Sequence, residues 1–157
     1  MRKRIITRGT QGIRPPDEGW LDLENLAQVE LTSEDASYPF ESALKPGAGS
    51  GWRASEPGRQ TVRLLFDKPL RIRRVRLAFH EDEQQRTHEF LLRWSPDGGR
   101  SYREIVRQQY NFSPPDNTRD IEDYEVDLVG LTVLEISISP DISRGSAIAS
   151  IAELRLA

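Results

Sequence analysis

Short apolar runs in which every second residue is hydrophobic recur along the chain and predict β-strands. The clearest run places Phe90, Leu92 and Trp94 at alternate positions. A strand with this period buries one face, because successive side chains point to opposite sides. Residues 95–99 (Ser-Pro-Asp-Gly-Gly) follow, and this composition is typical of a tight turn. The pattern therefore predicts a strand, a turn and a second strand that starts at Tyr102.

Seven further runs share this character and are separated by residues that favour turns. They span residues 27–32, 60–66, 71–79, 102–110, 124–128, 134–138 and 149–156. A turn is predicted at Asp67–Pro69, and a bulge between Ile151 and Leu154, where the alternation breaks. Short strands with frequent turns and almost no helical periodicity predict an all-β fold, an eight-stranded antiparallel β-sandwich of the jelly-roll type.

Composition places the chain among ordinary single domains. It has 157 residues, a net charge of −3 and no cysteine, and no apolar run approaches the ~20 residues of a membrane span. Residues 1–19 are basic and then rich in Gly and Pro, which predicts a flexible basic N-terminal arm ahead of a domain at residues 20–157. No apolar stretch of a secretory signal follows the basic start, so we expect a cytoplasmic location unless a signal has been removed.

Motifs for the common catalytic mechanisms are absent from the sequence. It contains no Gly-x-Ser-x-Gly, no phosphate-binding Gly-x-x-x-x-Gly-Lys and no His-Glu-x-x-His. Glu122 and Asp123 are neighbours next to the start of a predicted strand and would point to opposite faces, which suits acid–base chemistry poorly. No basic motif interleaved with aromatics favours nucleic acid. The sequence predicts a binding protein that is not an enzyme.

The order of several motifs resembles a known family. Tyr38–Leu44 follow the first strand, a glycine-rich loop then leads to Trp52, Phe90–Gly98 end in Ser-x-Asp-Gly, and Ala149–Leu154 close the chain. This order resembles the discoidin (coagulation-factor C-type) domain of the galactose-binding-like superfamily, over about residues 20–157. The resemblance implies a β-sandwich that binds sugars, lipid head groups or protein surfaces through loops at one end.

The same resemblance raises the question of a structural calcium ion. The family often carries Asp-Gly-Asp or Asp-Gly-Asn after Ala-Leu, whereas Lys45 and the Pro-Gly after it stand there in this chain. Glu153 matches a late glutamate of the family that lies near the ion. Two alternatives remain: Glu153 helps to hold calcium, or Lys45 pairs with Glu153 and replaces the charge of the ion. No other cofactor is predicted.

The loop between His80 and His88 is the first candidate binding site. It carries Glu81, Asp82 and Arg86, and this loop resembles one that carries ligand contacts in sugar-binding relatives. Carboxylates, histidine and arginine are planar polar groups that bind vicinal hydroxyls. If the flanking strands pair as a hairpin, both histidines lie at its open end. A solvated loop is favoured over a metal site formed by the histidines and Glu81.

A second cluster of candidate residues lies at Tyr110, Asn111 and Phe112. Two aromatic rings beside an amide offer a stacking face and hydrogen bonds, which is the chemistry of carbohydrate recognition. The alternative is that the two rings point inward and cap the core. Together with Arg53 from the long loop, the predicted ligand-binding residues are Arg53, His80, Glu81, Asp82, Arg86, Tyr110, Asn111 and Phe112.

Arginines at outward positions of neighbouring strands allow a second hypothesis. They are Arg63, Arg71, Arg73, Arg74, Arg76, Arg93, Arg103 and Arg107, and Glu125, Asp127 and Glu135 hold similar positions on later strands. Cross-strand ion pairs on a solvated face are the favoured interpretation. The predicted function is recognition of a carbohydrate or similar small polar ligand. The alternative is an intracellular protein-interaction or assembly module that uses this arginine face or the N-terminal arm.

Overall fold

The computed structural model describes residues 19–45 and 51–157, so the predicted arm at residues 1–18 lies outside the described residues. Within these ranges the protein has two single-turn helices, α1 (Leu23–Leu26) and α2 (Glu41–Leu44). The strands are β1 (Ala27–Leu31), β2 (Trp52–Arg53), β3 (Gln60–His80), β4 (Arg86–Ser95), β5 (Arg103–Phe112), β6 (Arg119–Ser139), β7 (Ser150–Ile151) and β8 (Glu153–Leu156). No helix in these ranges is long and apolar enough to cross a membrane.

Two long antiparallel strands, β3 and β6, pass through both layers of a β-sandwich. The first half of β3 lies between β1 and the last part of β6, and β4 and β5 extend this layer. The second half of β3 lies between β8 and the first part of β6. Register shifts between Leu65 and Arg74 separate the halves, because bulges bend a strand. The all-β sandwich predicted from the sequence is confirmed.

The predicted turn at Asp67–Pro69 is wrong, because β3 continues through it. Pro69 lies within a register shift of β3, where its missing N–H costs no regular ladder bond. The predicted strands at 124–128 and 134–138 are likewise parts of β6, and Gly130, with φ of +76°, accommodates the irregularity between them. A bulge was predicted between Ile151 and Leu154. The structure has a break at Ala152, which separates β7 from β8.

The core lies between the inward faces of the two layers. The largest fully buried side chains include Trp52, Phe40, Phe90 and Phe112. Each large apolar side chain buried in this way contributes about 1.5–3 kcal/mol. The indole Nε1 of Trp52 donates to the carbonyl of Ser33 at 3.2 Å, so the ring is satisfied as well as buried.

The outward arginines form cross-strand ion pairs, as the favoured interpretation predicted. Arg63 and Arg93 both bind Glu135, with N–O distances of 2.8 and 2.9 Å from their Nε atoms. Arg71 binds Asp127 through two nitrogens. Such pairs contribute about 0–1 kcal/mol each when exposed. Much of the charge of this arginine face is therefore neutralised within the protein, which weakens the case for an anion-binding platform there.

Candidate functional site

A polar pocket of about 320 Å³ opens where β3 ends and β4 begins. We call it the loop pocket. Its lining comes from β2, the loop between β3 and β4, and the segment before β7. The lining residues are Arg53, His80, Glu81, Asp82, Glu83, Gln84, Arg86, Ser146, Ile148 and Ser150. The structure therefore brings together five of the eight residues predicted to bind a ligand.

The floor of the loop pocket is a buried ion pair. Arg86 is 7% exposed, and its Nε donates to Oε1 of Glu81 at 2.6 Å. Its Nη1 donates to the carbonyl of Pro140 at 2.6 Å. The guanidinium also lies 4.9 Å from the ring centroid of Phe112. Glu81 is a near neighbour in sequence, whereas Pro140 and Phe112 come from distant parts of the chain, and together the three hold Arg86 in one position, where it anchors the loop that follows β3.

The carboxylate of Glu81 holds the backbone of that loop in place. Its Oε2 accepts the backbone N–H groups of Glu83 and Gln84, at 3.0 and 3.4 Å. Burial alone would raise the pKa of Glu81, but the hydrogen bonds from Arg86 and Glu83 outweigh burial and hold that pKa below its usual range. Glu81 is therefore ionised at neutral pH, and its charge is compensated by Arg86.

The exposed residues of the loop pocket include Arg53, His80 and Asp82, together with Glu83, Gln84 and Ser146. The guanidinium of Arg53 lies 4.3 Å from the ring centroid of Tyr38, and its backbone N–H donates to the carbonyl of Tyr38. Tyr38 is a supporting residue that sequence reasoning missed, because no local pattern shows which loop packs beside β2. A guanidinium, an imidazole and a carboxylate thus surround one polar depression.

Three predicted binding residues do not line the loop pocket. Phe112 is fully buried, and Tyr110 is partly buried with its ring centroid 5.0 Å from that of Phe112. Asn111 is exposed, and its side-chain oxygen accepts a hydrogen bond from Thr87. The alternative that the two rings point inward is confirmed for this cluster. Phe112 instead supports the pocket floor from below, through its contact with Arg86.

His88 lies inside the sandwich, and the hairpin that would place both histidines at its open end does not form. Strand β6 lies between β3 and β4, and these two strands do not pair. His88 packs between the rings of Phe79 and Phe112, with centroid distances of 4.6 and 4.8 Å. Burial lowers its pKa to about 3, so the ring is neutral. Since His80 is exposed and His88 buried, they do not form a metal site, and the described residues contain no cluster of three possible metal ligands.

A buried acid cluster accompanies His88. Its Nε2 hydrogen-bonds Oδ2 of Asp120 at 2.8 Å. Asp120 and Glu122 alternate on β6 and share a face, and burial together with the hydrogen bond to Asp120 raises the pKa of Glu122 to about 7. Burial also raises the pKa of Asp120. Sequence reasoning missed the cluster, although the spacing of two residues on a strand is the signal that places both carboxyls together.

The surroundings of Glu153 do not fit a calcium ion. Its Oε1 lies 3.3 Å from Nε of Arg76 and 3.5 Å from Nε of Arg155. Arg155 is 6% exposed, and its Nη1 donates to the carbonyl oxygen of Leu44. Calcium needs six to eight oxygen ligands, whereas guanidinium groups already meet the glutamate and this carbonyl. The structural calcium at Glu153 is therefore not supported.

The predicted pairing of Lys45 with Glu153 is also wrong, because Nζ of Lys45 lies 3.4 Å from Glu24. A cation does compensate Glu153, as that hypothesis required. The cations are Arg76 and the buried Arg155, both of which come from strands.

Solved structures with the same fold include several carbohydrate-binding modules. One is a family 32 module (CBM32-5) from Clostridium perfringens in complex with GalNAc-β-1,3-galactose. It is 17% identical with a TM-score of 0.63, and the match covers 87% of this chain and 98% of the module. The family 32 module of AlyQ, in complex with 4,5-unsaturated mannuronic acid, is 16% identical with a TM-score of 0.61, over 84% of this chain and 95% of that one.

A third neighbour is the family 32 module of C. perfringens NanJ in complex with galactose. It is 15% identical with a TM-score of 0.59, over 87% of this chain and 96% of the module. The chain has the fold of these modules. This confirms the galactose-binding-like fold expected from the sequence, while the narrower assignment to discoidin domains stays a prediction. No protein-family model and no curated protein sequence matches the chain.

Proposed function

We propose that the protein is a non-catalytic carbohydrate-binding module that holds a sugar in the loop pocket. The observation that carries the proposal is the convergence of Arg53, His80 and Asp82 around a floor fixed by the Glu81–Arg86 ion pair. Guanidinium and carboxylate groups each offer two parallel hydrogen-bonding positions, which match adjacent hydroxyls of a sugar ring. Because the floor is already organised, binding requires little ordering of the protein.

The dimensions of the loop pocket suit a small ligand. Small-molecule sites typically measure about 300–1,000 Å³, and the loop pocket has a volume of about 320 Å³. Its lining is mainly polar, with Ile148 as its one large apolar side chain. A sugar with many hydroxyls is a better match for such a lining than an apolar ligand. The sugars in the three neighbouring complexes support the same ligand class.

The test is isothermal titration calorimetry of the whole chain with galactose, GalNAc and uronic acids. We expect at least one sugar to bind, and Arg53→Ala or Asp82→Asn to weaken it at least about tenfold, equivalent to about 1.4 kcal/mol. Arg100→Ala is the matched control, because Arg100 is an exposed arginine in the turn after β4, at the opposite end of that strand.

Two results would count against the proposal. One is the absence of binding across the panel, and the other is binding that Arg53→Ala and Asp82→Asn leave unchanged. If sugars fail and the protein instead forms a defined oligomer in solution, the protein-interaction hypothesis would be favoured.

A further inference from the structure

A second and larger cavity lies beside the loop pocket. It has a volume of about 580 Å³ and is lined by residues 139–142, 144–145 and 147, by Gly58 and Arg59 ahead of β3, and by Glu89 and Gln109. We call it the Arg144 cavity. The segment between β6 and β7 borders both spaces, because Ala147 lines the Arg144 cavity while Ser146 and Ile148 line the loop pocket.

The backbone of Arg144 is unusual. Its φ of +68° makes it the one non-glycine residue with positive φ in the described part of the chain. A left-handed conformation costs an L-residue about 1–2 kcal/mol. The turn that imposes it is closed by hydrogen bonds from the N–H of Arg144 to the carbonyl of Asp141, and from the N–H of Ser143 to Oδ1 of Asp141. Residues held in this way often lie at ligand sites.

The carboxylates and the arginines that line the Arg144 cavity differ in whether they already have partners. Glu89 accepts hydrogen bonds from Gln109 at 2.8 Å and from Arg107 at 3.0 Å, and these partners lower its pKa. The other lining carboxylate, of Asp141, has Oδ1 engaged by the N–H and hydroxyl of Ser143.

Arg59 and Arg144 are both exposed, and neither forms an ion pair with another residue of the described ranges. Arg59 and Arg107 both act electrostatically on Glu89. The lining thus holds two guanidinium groups and two carboxylates, and Arg107 pairs with Glu89 from outside it. Both carboxylates already accept hydrogen bonds, whereas Arg59 and Arg144 lack an ion-pair partner among the described residues, so their N–H donors favour a ligand that carries an anionic group.

We propose that the Arg144 cavity is a second subsite, which binds the carboxylate or sulfate group of an acidic glycan. This rests on the proposed function, because the same glycan places a neighbouring sugar in the loop pocket. Arg59 and Arg144 supply the guanidinium groups, which bind planar and tetrahedral oxyanions through paired N–H donors. Because the segment between β6 and β7 borders both spaces, one glycan chain can occupy the loop pocket and the Arg144 cavity together. The substrate class is thus a polysaccharide with uronic acid or sulfate ester groups.

Calorimetry with the whole chain tests this with matched ligand pairs. The first pair is an oligogalacturonate and its fully methyl-esterified form, and the second is a sulfated galactan oligosaccharide and its desulfated form. We expect the charged member of one pair to bind at least about tenfold more tightly than its neutral form. Raising the salt concentration should reduce this ratio, since salt screens exposed charges. The ligand pair that shows the preference identifies whether the cavity binds a carboxylate or a sulfate group.

The variants are Arg59→Ala combined with Arg144→Gly, and Arg100→Ala as control. Glycine accepts positive φ, so Arg144→Gly removes the cation without straining the turn. The double variant should bring the ratio of charged to neutral binding close to one, and Arg100→Ala should not change it. Equal binding of charged and neutral forms by the unmodified protein would overturn the subsite but not the proposed function. Absence of binding for all four ligands would also overturn the subsite, whereas the proposed function would be overturned only if galactose, GalNAc and the uronic acids failed to bind as well.

Discussion

Replacing Glu122 by glutamine should stabilise the protein at alkaline pH and leave its stability unchanged in acid. The pKa of Glu122 is raised to about 7 by burial and by its hydrogen bond to Asp120. In the unfolded chain the group has its ordinary pKa near 4.5. Between these values the unfolded state ionises while the folded state holds the proton, so the free energy of unfolding falls as pH rises. Glutamine is neutral in both states and abolishes this loss.

The magnitude follows from the size of the change in pKa. A rise from 4.5 to about 7 corresponds to about 3 kcal/mol at ~1.36 kcal/mol for each pKa unit. Because Glu122 is only partly buried, water screens part of this cost, and we expect about 1.5 kcal/mol. His88 works in the opposite direction, since its folded pKa of about 3 lies below its ordinary value and stability is lost as pH falls below about 6.5. The informative quantity is therefore the difference between variant and wild type.

Urea unfolding followed by tryptophan fluorescence, from pH 4.5 to pH 8, measures that difference. The difference in free energy of unfolding between Glu122→Gln and wild type should be close to zero at pH 4.5. Above pH 7 it should reach about 1.5 kcal/mol, with the variant the more stable protein. Glu125→Gln is the control, because Glu125 is exposed on the outward face of the same strand. A difference that does not vary with pH, or a variant less stable than wild type at pH 8, would refute the reasoning.

Three further predictions concern the frame around the site. Arg86→Met should lower the free energy of unfolding by about 3 kcal/mol, because it leaves Glu81 partly buried without its cation; an unchanged urea midpoint would contradict this. Gly51→Ala should cost more than about 2 kcal/mol, since its Cβ would lie 2.2 Å from the carbonyl oxygen of Ile151 at a φ of +77°; a loss below about 1 kcal/mol in the same assay would be inconsistent with this close approach. Neither EDTA nor added calcium should shift the melting temperature, because arginines already compensate Glu153, and a drop of several degrees with EDTA would show that an ion is held there.

The strands were predictable because their signal is local. Alternate burial along β3 and β4 follows directly from the alternation of apolar residues, and the Ser95–Gly99 turn follows from its composition. In that turn, the hydroxyl of Ser95 donates to Asp97 and accepts the backbone N–H of Gly99. These contacts span at most four residues, so residue composition was enough to predict the turn, although not the individual hydrogen bonds. It could not show that two strands run on through their irregularities, because bulges leave no fixed sequence mark.

The site was predictable only in part, because its contacts join distant segments. Arg86 and Pro140 are 54 positions apart, and their hydrogen bond helps to fix the pocket floor. Alternation alone does not show that β6 separates β3 from β4. It does place His88 on the buried face of β4, in phase with Phe90 and Leu92, and this signal was overlooked. Arg53 and the loop after His80, which the sequence analysis grouped in one site, line the same pocket, and their role in binding stays a prediction. Sequence alone left two roles open for Phe112, since an aromatic residue suits a core and a sugar-binding face equally well, and the structure shows that its ring is buried.

The most direct test of the central claim is an NMR titration of ¹⁵N-labelled protein with the sugar that binds best in calorimetry. The largest amide shifts should be confined to Arg53, residues 80–86 and residues 146–150, the segments that contain the lining of the loop pocket. Shifts centred on the arginine face around Arg71 and Arg74, or no shifts at a saturating sugar concentration, would contradict it.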